Sequence, residues 1–548
     1  MRTKIFLYTV LFFFILSCNE DKILQEKPLD FYSIENAYVT ANDFQSAINR
    51  LYSQIRDDFS TNFEGKGKEI YFFGTDLCVN AITPDWPLNT YSAIVPTDGF
   101  AVATTWKRMY KLISDANVIV GRIDVATIEN ADKNKLKAEA MFFRAFGYRC
   151  LANLYGGVPL VLKEVTSPAR DYVRATRDQV YQQCATDLEF AAANLNDITA
   201  AKDGQINKAA ANHLLSEIYI SLKQWDKAIA AASATINNPA LGLMTSRFGS
   251  KKNEPGDVIS DLFRNNNFNR SSGNTEGLWV IQLDYKSQGS PNYGWAGDLL
   301  QGFINCFYTN IILDDGVNAF PSPNQQFGGW GIGWLKTTQQ AHYGVWKSDF
   351  TNDLRNSQYN IIRDIKVLNP KSKYYGQYIV ANKLVQPYDT TRNWYPIYTK
   401  GSRWNDFPAE VIANATTGEV NYDVSINKDT YMFRMAETYL LRAEAYLGKG
   451  DKQSAANDIN LVRVRAQAKP VAAVNVDIDF ILDERLRELP YEELRIFTLT
   501  RLGKLVDRVK KYNYYAKSSI KDYQNLYPIP YSEIERNTLS KLEQNPGY

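Results

Sequence analysis

The sequence predicts a mainly α-helical protein in which helical hairpins form a scaffold for an irregular, loop-rich ligand-binding part. Three observations lead there. Long stretches place apolar residues at helical spacing, and two similar helix–turn–helix segments stand far apart in the chain. Between them, from about Gly242 to Val424, helical periodicity fails, and glycine and tryptophan concentrate.

The chain opens Met1-Arg2-Thr3-Lys4, runs through twelve apolar or weakly polar residues from Ile5 to Leu16, and reaches Ser17-Cys18. A basic start before a short apolar run predicts a secretory signal over residues 1–17. Twelve helical residues rise about 18 Å, short of a hydrocarbon core of ~30 Å, so the run does not span a bilayer. Ile15-Leu16-Ser17-Cys18 has the form of a bacterial lipobox, whose cysteine becomes the lipidated first residue of the mature chain. An ordinary signal peptide with a coincidental cysteine is the alternative. Acyl chains contribute about 0.8 kcal/mol per buried CH₂, and several chains hold a protein stably at a membrane. Residues 18–41 then read as a lipidated tether, followed by a single body over residues 42–548.

Removing the signal takes away Arg2 and Lys4, which lowers the 62 basic residues to 60 against 60 acidic ones. A nucleic-acid binder usually carries a basic excess that displaces counterions from phosphates, and this chain has none. Aromatic residues make up 13% of the chain and include 35 tyrosines, a composition favoured where a surface is both apolar and wet. Cys78, Cys150, Cys184 and Cys306 contain no CxxC spacing and fit no zinc pattern. They are expected as buried free thiols, with one disulfide as the alternative.

The N-terminal helical part covers residues 42–241. "DKNKLKAEAMFFRAFGYRCLANLYGGVPL" places Leu136, Ala140, Phe143, Gly147, Leu151 and Leu154 three or four apart, and Gly156-Gly157 with Pro159 ends the helix. Ala138, Ala140, Ala145 and Gly147 leave room for a neighbouring helix. "NKAAANHLLSEIYISLKQWDKAIAAASATI" puts Ala211, Leu215, Ile218 and Leu222 on one face, turns at Lys223-Gln224 and resumes with Trp225, Ala228, Ile229 and Ala232. It resembles a tetratricopeptide repeat, a helix hairpin with small residues at fixed positions and an aromatic near the turn. The C-terminal part, residues 425–548, repeats the plan, with Ala443, Ala445 and Tyr446 before the Gly448–Gly450 turn and Ala455 and Ile459 after it.

The loop-rich part, residues 242–424, is expected to be functional and to consist of loops and short elements packed on the helical scaffold, because a long structureless stretch inside a compact body is rarely filler. Trp279, Trp295, Trp330, Trp334 and Trp346 and twelve of the 31 glycines lie between residues 273 and 346. "FGGWGIGWLKTTQQAHYGVW", Phe327 to Trp346, is the densest stretch.

Several segments together resemble one family, the SusD/RagB nutrient-binding lipoproteins of Bacteroidetes. "AEAMFFRAFGYRCLANLYGGVPLV", Ala138 to Val161, is similar to the family's helix followed by "G-VPL". "DERLRELPYEELRIFTLTRLGKL", Asp483 to Leu505, is similar to its arginine- and glutamate-rich helices, and "LYPIPYSEIERNTLSKLEQNPGY" to its closing "PIP" and "QNPGY". The chain departs from the family at Glu492-Glu493, where Glu-Gly is common, and at Phe497-Thr498, where an aromatic-Asp pair is. The resemblance implies a helical body that cradles ligand and sits lipid-anchored at the outer-membrane surface. It implies a non-catalytic role with no cofactor and two partners: captured oligosaccharide or another nutrient such as peptide, and a TonB-dependent, SusC-like transporter that receives it. Glu20 and Asp21, just after Cys18, resemble the family's surface-export signal.

The chemistry of the residues agrees with binding. His213 and His342 are the only histidines. His213 lies within a repeat helix, where packing or a helix surface is expected, and no Ser-His-Asp set or metal site stands out. Glu484, Glu488 and Glu492 share helical spacing, as a glycosidase pair would require, but Arg485, Arg487 and Arg495 interleave with them. Mutual salt bridging on a helix face is the expected outcome. Gly329, Gly331 and Gly333 alternate without the spacing of a nucleotide loop. Trp330 and Trp334 sit between glycines instead of within a periodic apolar segment, so at least one is expected as a flat platform for the C–H face of a sugar. Trp295 and Trp86 are further platforms. The loop "GTDLCVNAITPDWPLNTYS" adds Asp76, Asn80, Asn89 and Tyr91 as a polar and aromatic wall, although turn formation around Pro84 and Pro87 competes for Asp85 and Asn89. A glycan hydrolase and a repeat scaffold for a protein partner are the rival readings.

Overall fold

The computed structural model describes residues 37–60, 67–83, 86–283, 300–388, 391–421 and 428–548. The signal peptide, Cys18, the tether up to residue 36, Asp85 and Trp295 lie outside the described residues.

Helix starts follow local chemistry. Thr40 and Asp43 cap α1 (Ala41–Phe59) reciprocally: the Asp43 amide donates to Thr40 Oγ1 at 3.3 Å and the Thr40 amide to Asp43 Oδ2 at 2.8 Å. Ahead of α2 (Val102–Ile123), the Asp98 carboxylate accepts from the amides of Phe100, Ala101 and Val102, each at 3.0 Å. An anion there satisfies donors that the helix itself cannot.

The helix expected near residue 136 is α3 (Asn130–Tyr155), and it ends at Gly156 with φ 74°. Its apolar spacing understates its burial. Every residue from Ala138 to Tyr155 is enclosed, because α1, α2 and α4 (Arg177–Asn194) pack around it. Its charged side chains are therefore paired inside. Tyr52 donates to Glu139 at 2.9 Å, Arg144 meets Asp187 through two bonds of 2.7 Å, and Arg149 reaches Glu217 at 2.6 and 2.8 Å. Gly147 permits the approach of α2, since a Cβ there would lie 2.9 Å from Ile113 Cγ1.

The repeat hairpins are α5 (Lys208–Ser221) with α6 (Trp225–Ile236), and α7 (Met435–Lys449) with α8 (Lys452–Arg465). Distant in sequence, they are neighbours in space, with α6 against α7. The Trp225 ring lies over Gly448, where a Cβ would stand 2.7 Å from it. His213 on α5 is buried. Its Nδ1 bonds Thr438 Oγ1 at 2.8 Å, its ring lies 4.4 Å from that of Phe433, and burial pulls its pKa down to about 3. All four described cysteines are buried free thiols.

The central part consists of loops, short helical turns and two-residue to five-residue strands. Two-stranded antiparallel ladders join β1 (Cys78–Asn80) to β3 (Leu335–Thr337), and β2 (Gly277–Ile281) to β8 (Thr430–Arg434). Two more join β4 (Ile361–Ile362) to β5 (Ile397–Tyr398), and β6 (Ile412–Asn414) to β7 (Glu419–Val420). A second apolar core gathers there around Tyr308, Phe320, Ile365 and Trp394.

After α9 (Ile478–Glu488), α10 (Arg495–Arg501) and α11 (Leu505–Tyr512), the chain closes on the end of α3. Asn545 Nδ2 donates to the Tyr155 carbonyl at 2.9 Å and to that of Tyr527 at 2.7 Å. The carboxylates expected to salt-bridge on a helix face are salt-bridged, but in the interior and mostly to cations from distant segments. Glu484 takes Arg355 and Arg463 at 2.7 Å and Arg487 at 2.9 Å. Glu488 takes Arg434 at 2.7 Å, Arg355 at 3.0 Å and also Arg465, while Glu492 takes Lys400 at 2.7 Å and Arg434 at 2.5 Å. Among the arginines that interleave with them, only Arg487 pairs with one of the three. Burial pushes the Glu484 carboxyl up, but Arg487, Arg355 and Arg463 outweigh it and hold the group at about 2.

Candidate functional site

The tryptophan-glycine stretch and the N-terminal loop meet through the ladder of β1 and β3, in which Cys78 faces Thr337 and Asn80 faces Leu335. The Ala81 amide extends the pairing to the Trp334 carbonyl at 3.0 Å, and the Thr338 amide and hydroxyl close it onto the carbonyls of Leu77 and Asp76 at 2.8 and 2.6 Å. Two segments that sequence reading nominated separately thus form one structure.

On it stands a row of rings. Phe303 meets Trp334 edge-on at 4.6 Å between centroids, Trp334 meets Trp86 at 6.1 Å, and Trp86 meets Phe100 at 4.7 Å. Trp330 lies over Gly302, where a Cβ would stand 2.1 Å from the ring. Gly328, Gly329 and Gly333 take φ of 79°, 78° and 63°, so the strip turns as other residues rarely can. The rings differ in exposure. Trp334 is 8% exposed and belongs to the core, whereas Trp330 and Trp86 are half-buried. Trp346 and Trp279, in the same tryptophan-rich span, are core residues, and the Trp346 indole N–H donates to Ala341.

The polar wall expected beside them is turned inward. Asp76 is fully buried, with Arg495 on both oxygens at 2.8 Å and Arg508 on Oδ2 at 2.7 Å. Burial raises its carboxyl, but the two guanidiniums prevail and bring it down to about 2. Asn80 and Asn89 tie their loop together: the Asn80 amide donates to Asn89 Oδ1 at 2.9 Å, and Asn89 Nδ2 donates to the Asn80 carbonyl at 2.6 Å. Asn80 Oδ1 also accepts from the amides of Ile82 and Thr83 at 3.0 Å. Tyr91 is buried and its hydroxyl donates to the Gly74 carbonyl at 2.9 Å. These four residues frame the ledge from behind. Three N–H donors there, Asn80 Nδ2, Trp86 Nε1 and Trp334 Nε1, are buried and have no acceptor among the described residues.

Sequence reading missed Phe100, Phe303, Phe307 and Arg392. Half-buried Arg392 donates to the Ile332 carbonyl at 3.0 Å and lies 4.9 Å over the Phe307 ring, beside the glycine strip. No sequence signal marked it, since it lies far downstream of the strip. Among the described residues no group of three or more His, Cys, Asp or Glu could hold a metal ion, and no helix is long and apolar enough to cross a membrane.

The family model described as the SusD family matches residues 260–548, and a second, described as "Starch-binding associating with outer membrane", matches residues 29–220. The chain belongs to the SusD/RagB family. A SusD-like protein of Formosa agariphila is 24% identical to it, over 100% of this chain and 99% of the relative. The starch-binding protein SusD of Bacteroides thetaiotaomicron is 36% identical over 126 residues, 22% of each chain. Among solved structures, the surface glycan-binding protein A of B. thetaiotaomicron in complex with laminarihexaose has a TM-score of 0.65 at 20% identity and covers 92% of this chain and 100% of that one. At that identity the likeness shows the SusD-like fold.

Proposed function

We propose that this SusD-like protein is a non-catalytic surface lipoprotein that captures oligosaccharide on the Trp330–Trp334–Trp86 ledge and passes it to a partner TonB-dependent transporter. The observation that carries the reading is the stitching of the glycine strip, which carries half-buried Trp330, to the N-terminal loop, which carries half-buried Trp86. Rings fit the C–H faces of sugars. The glycan named for the solved relative supports a carbohydrate as the ligand class. Asp76, Asn80, Asn89 and Tyr91 serve by holding the loop that presents Trp86; Trp295, outside the described residues, is a further candidate platform.

Among the described residues, the three glutamates at helical spacing do not support the rival reading of glycoside hydrolysis. A general acid needs a raised pKa, and the clustered Glu484, Glu488 and Glu492 are all pulled down by their cationic partners against the effect of burial. Asp58 and Glu437 are raised, by burial, to about 6 and 7, but each is tied to an arginine, Arg108 and Arg485 respectively.

Each ring that buries about 100 Å² against a sugar contributes roughly 2 to 3 kcal/mol before ordering losses, and micromolar binding needs about 8 kcal/mol. Several contacts must therefore cooperate. Calorimetry with laminari- and malto-oligosaccharides tests this. Trp330→Ala and Trp86→Ala are each expected to weaken binding at least tenfold with little change in thermal midpoint, while reducing ends stay constant on prolonged incubation. Unchanged affinity in both variants, or binding of peptides in place of every glycan, would overturn the reading.

A further inference from the structure

A groove that shares no residue with the ledge lies between the middle of α1, the turn around Gly204 and the end of β2. It encloses about 380 Å³, within the range of about 300 to 1,000 Å³ typical of small-ligand sites. Bonds between the segments that wall it fix its shape. The Ile206 amide donates to Tyr52 Oη at 3.0 Å, Asn207 Nδ2 donates to the Leu278 carbonyl at 2.8 Å, and the Gln282 side chain exchanges two bonds of 3.0 Å with that of Asn269. Gly204 takes φ 82°, and a Cβ there would stand 2.8 Å from Gln282 Cγ, so glycine lets the turn close on the strand.

The lining divides by chemistry. Half-buried Tyr52 and buried Ile55 and Trp279 supply apolar walls. Asn49, Ser53 and Arg56 follow one another at spacings of four and three, so α1 presents them on one face, while Asp203 and Gln205 flank Gly204 in the turn. All five keep hydrogen-bonding capacity. Among the described residues, the Asn49 side chain bonds only through Oδ1, from Gln45 at 3.1 Å, that of Gln205 only through Oε1, from the Lys202 amide at 3.2 Å, and that of Asp203 only through Oδ2, from Ser271 at 3.2 Å. The Ser53 hydroxyl and the terminal nitrogens of Arg56 make no hydrogen bond to a described residue, and the ion pair of Arg56 with exposed Asp57 is loose, at 4.0 Å from Nε.

Open donors and an open acceptor therefore stand beside an aromatic ring. A hydroxyl donates one hydrogen bond and accepts two, so the adjacent hydroxyls of a sugar use both kinds of partner while a C–H face lies against the ring. Arg56 and Asp203 offset one another in charge, which favours a neutral ligand over an anion. We propose that this groove is a second oligosaccharide site, taking a neutral sugar unit whose hydroxyls are met by Arg56 and Gln205 as donors and by Asp203 as acceptor. Its ligand class follows from its own lining and does not depend on the ledge. A polysaccharide long enough to reach both sites gains from their linked binding.

Calorimetry of the full-length protein with laminari-, malto-, xylo- and mannohexaose counts the sites. At least one hexaose is expected to fill two sites on wild type and one on the Trp86→Ala/Trp330→Ala variant. Arg56→Ala and Asp203→Ala, added to that variant, are each expected to weaken the remaining site at least tenfold with an unchanged thermal midpoint. A single wild-type site that the ring variant removes overturns the inference and leaves the ledge reading in place, and a second site indifferent to both Arg56→Ala and Asp203→Ala overturns it as well. A single site that survives in the ring variant and is lost with Arg56→Ala upholds the groove and overturns the ledge. If no hexaose binds wild type, both fail.

Discussion

Asp76 shows how one residue type changes role once its neighbours are known. In sequence it is an acid in a polar loop; in space it is a fully buried anion held by Arg495 and Arg508. Removing one partner of such a set leaves charge uncompensated, so Asp76→Ala is expected to cost about 3 to 5 kcal/mol in chemical denaturation, a loss that Asn replaces only in part. The same residues set the acid limit of the fold. Asp76, Glu217 and Glu484 are each brought to about 2 by arginines that outweigh burial, and burial brings His213 down to about 3. Depressed folded values mean that their stabilisation is complete above the unfolded values, near 6.5 for histidine and 4 for the acids, and is lost as pH falls toward the folded ones. Thermal midpoints followed from pH 7 to 2 are expected to decline first below about 6.5 and more steeply below about 4. A midpoint that holds constant to pH 3 would contradict the charge pairing. Among the rings, Trp334→Ala is expected to cost about 3 to 5 kcal/mol as a core truncation, in contrast to its half-buried neighbours Trp330 and Trp86.

At the scale of elements, the hairpins were readable because small residues at helical spacing have one economical use, the close packing of helices. Their mutual docking was not. Trp225 and Gly448 lie 223 residues apart, and only the contact of α6 with α7 shows why Gly448 must be small. Gly448→Val is expected to lower stability by about 1 to 3 kcal/mol through overpacking. In a double-mutant cycle, Trp225→Ala relieves much of that penalty; additive losses would mean that the two do not touch in solution. The extent of burial of α3 was likewise hidden. Around it stand Glu139, Arg144 and Arg149, whose burial depends on partners from other segments: Tyr52 donates to Glu139, while Asp187 and Glu217 neutralise the two arginines. The strip from Phe327 to Trp346 was recognised as special, yet which ring faces inward depended on Phe303 and Trp86 packing against Trp334.

For the whole molecule, the proposed lipid tether predicts that the protein leaves the membrane when the lipid is lost. Cys18→Ala should appear in the soluble fraction with unchanged oligosaccharide affinity, as measured by fractionation and calorimetry. Retention in the membrane would mean that a protein partner, and not the acyl chains, provides the anchor.

By itself the sequence determined the helical class, the helix starts and stops, the repeat hairpins, the loop-rich centre and the family, all of which depend on local spacing and on residues adjacent in the chain. Only the tertiary structure decided which side chains remain at the surface. It turned Asp76, Asn80, Asn89 and Tyr91 from a wall into a frame, withdrew Glu484, Glu488 and Glu492 into the interior, and left Trp330 and Trp86 half-buried. The physical reason is that burial and charge neutralisation are set by partners hundreds of residues away: Asp76 meets Arg495, Glu276 meets Arg434, and no local pattern encodes either meeting.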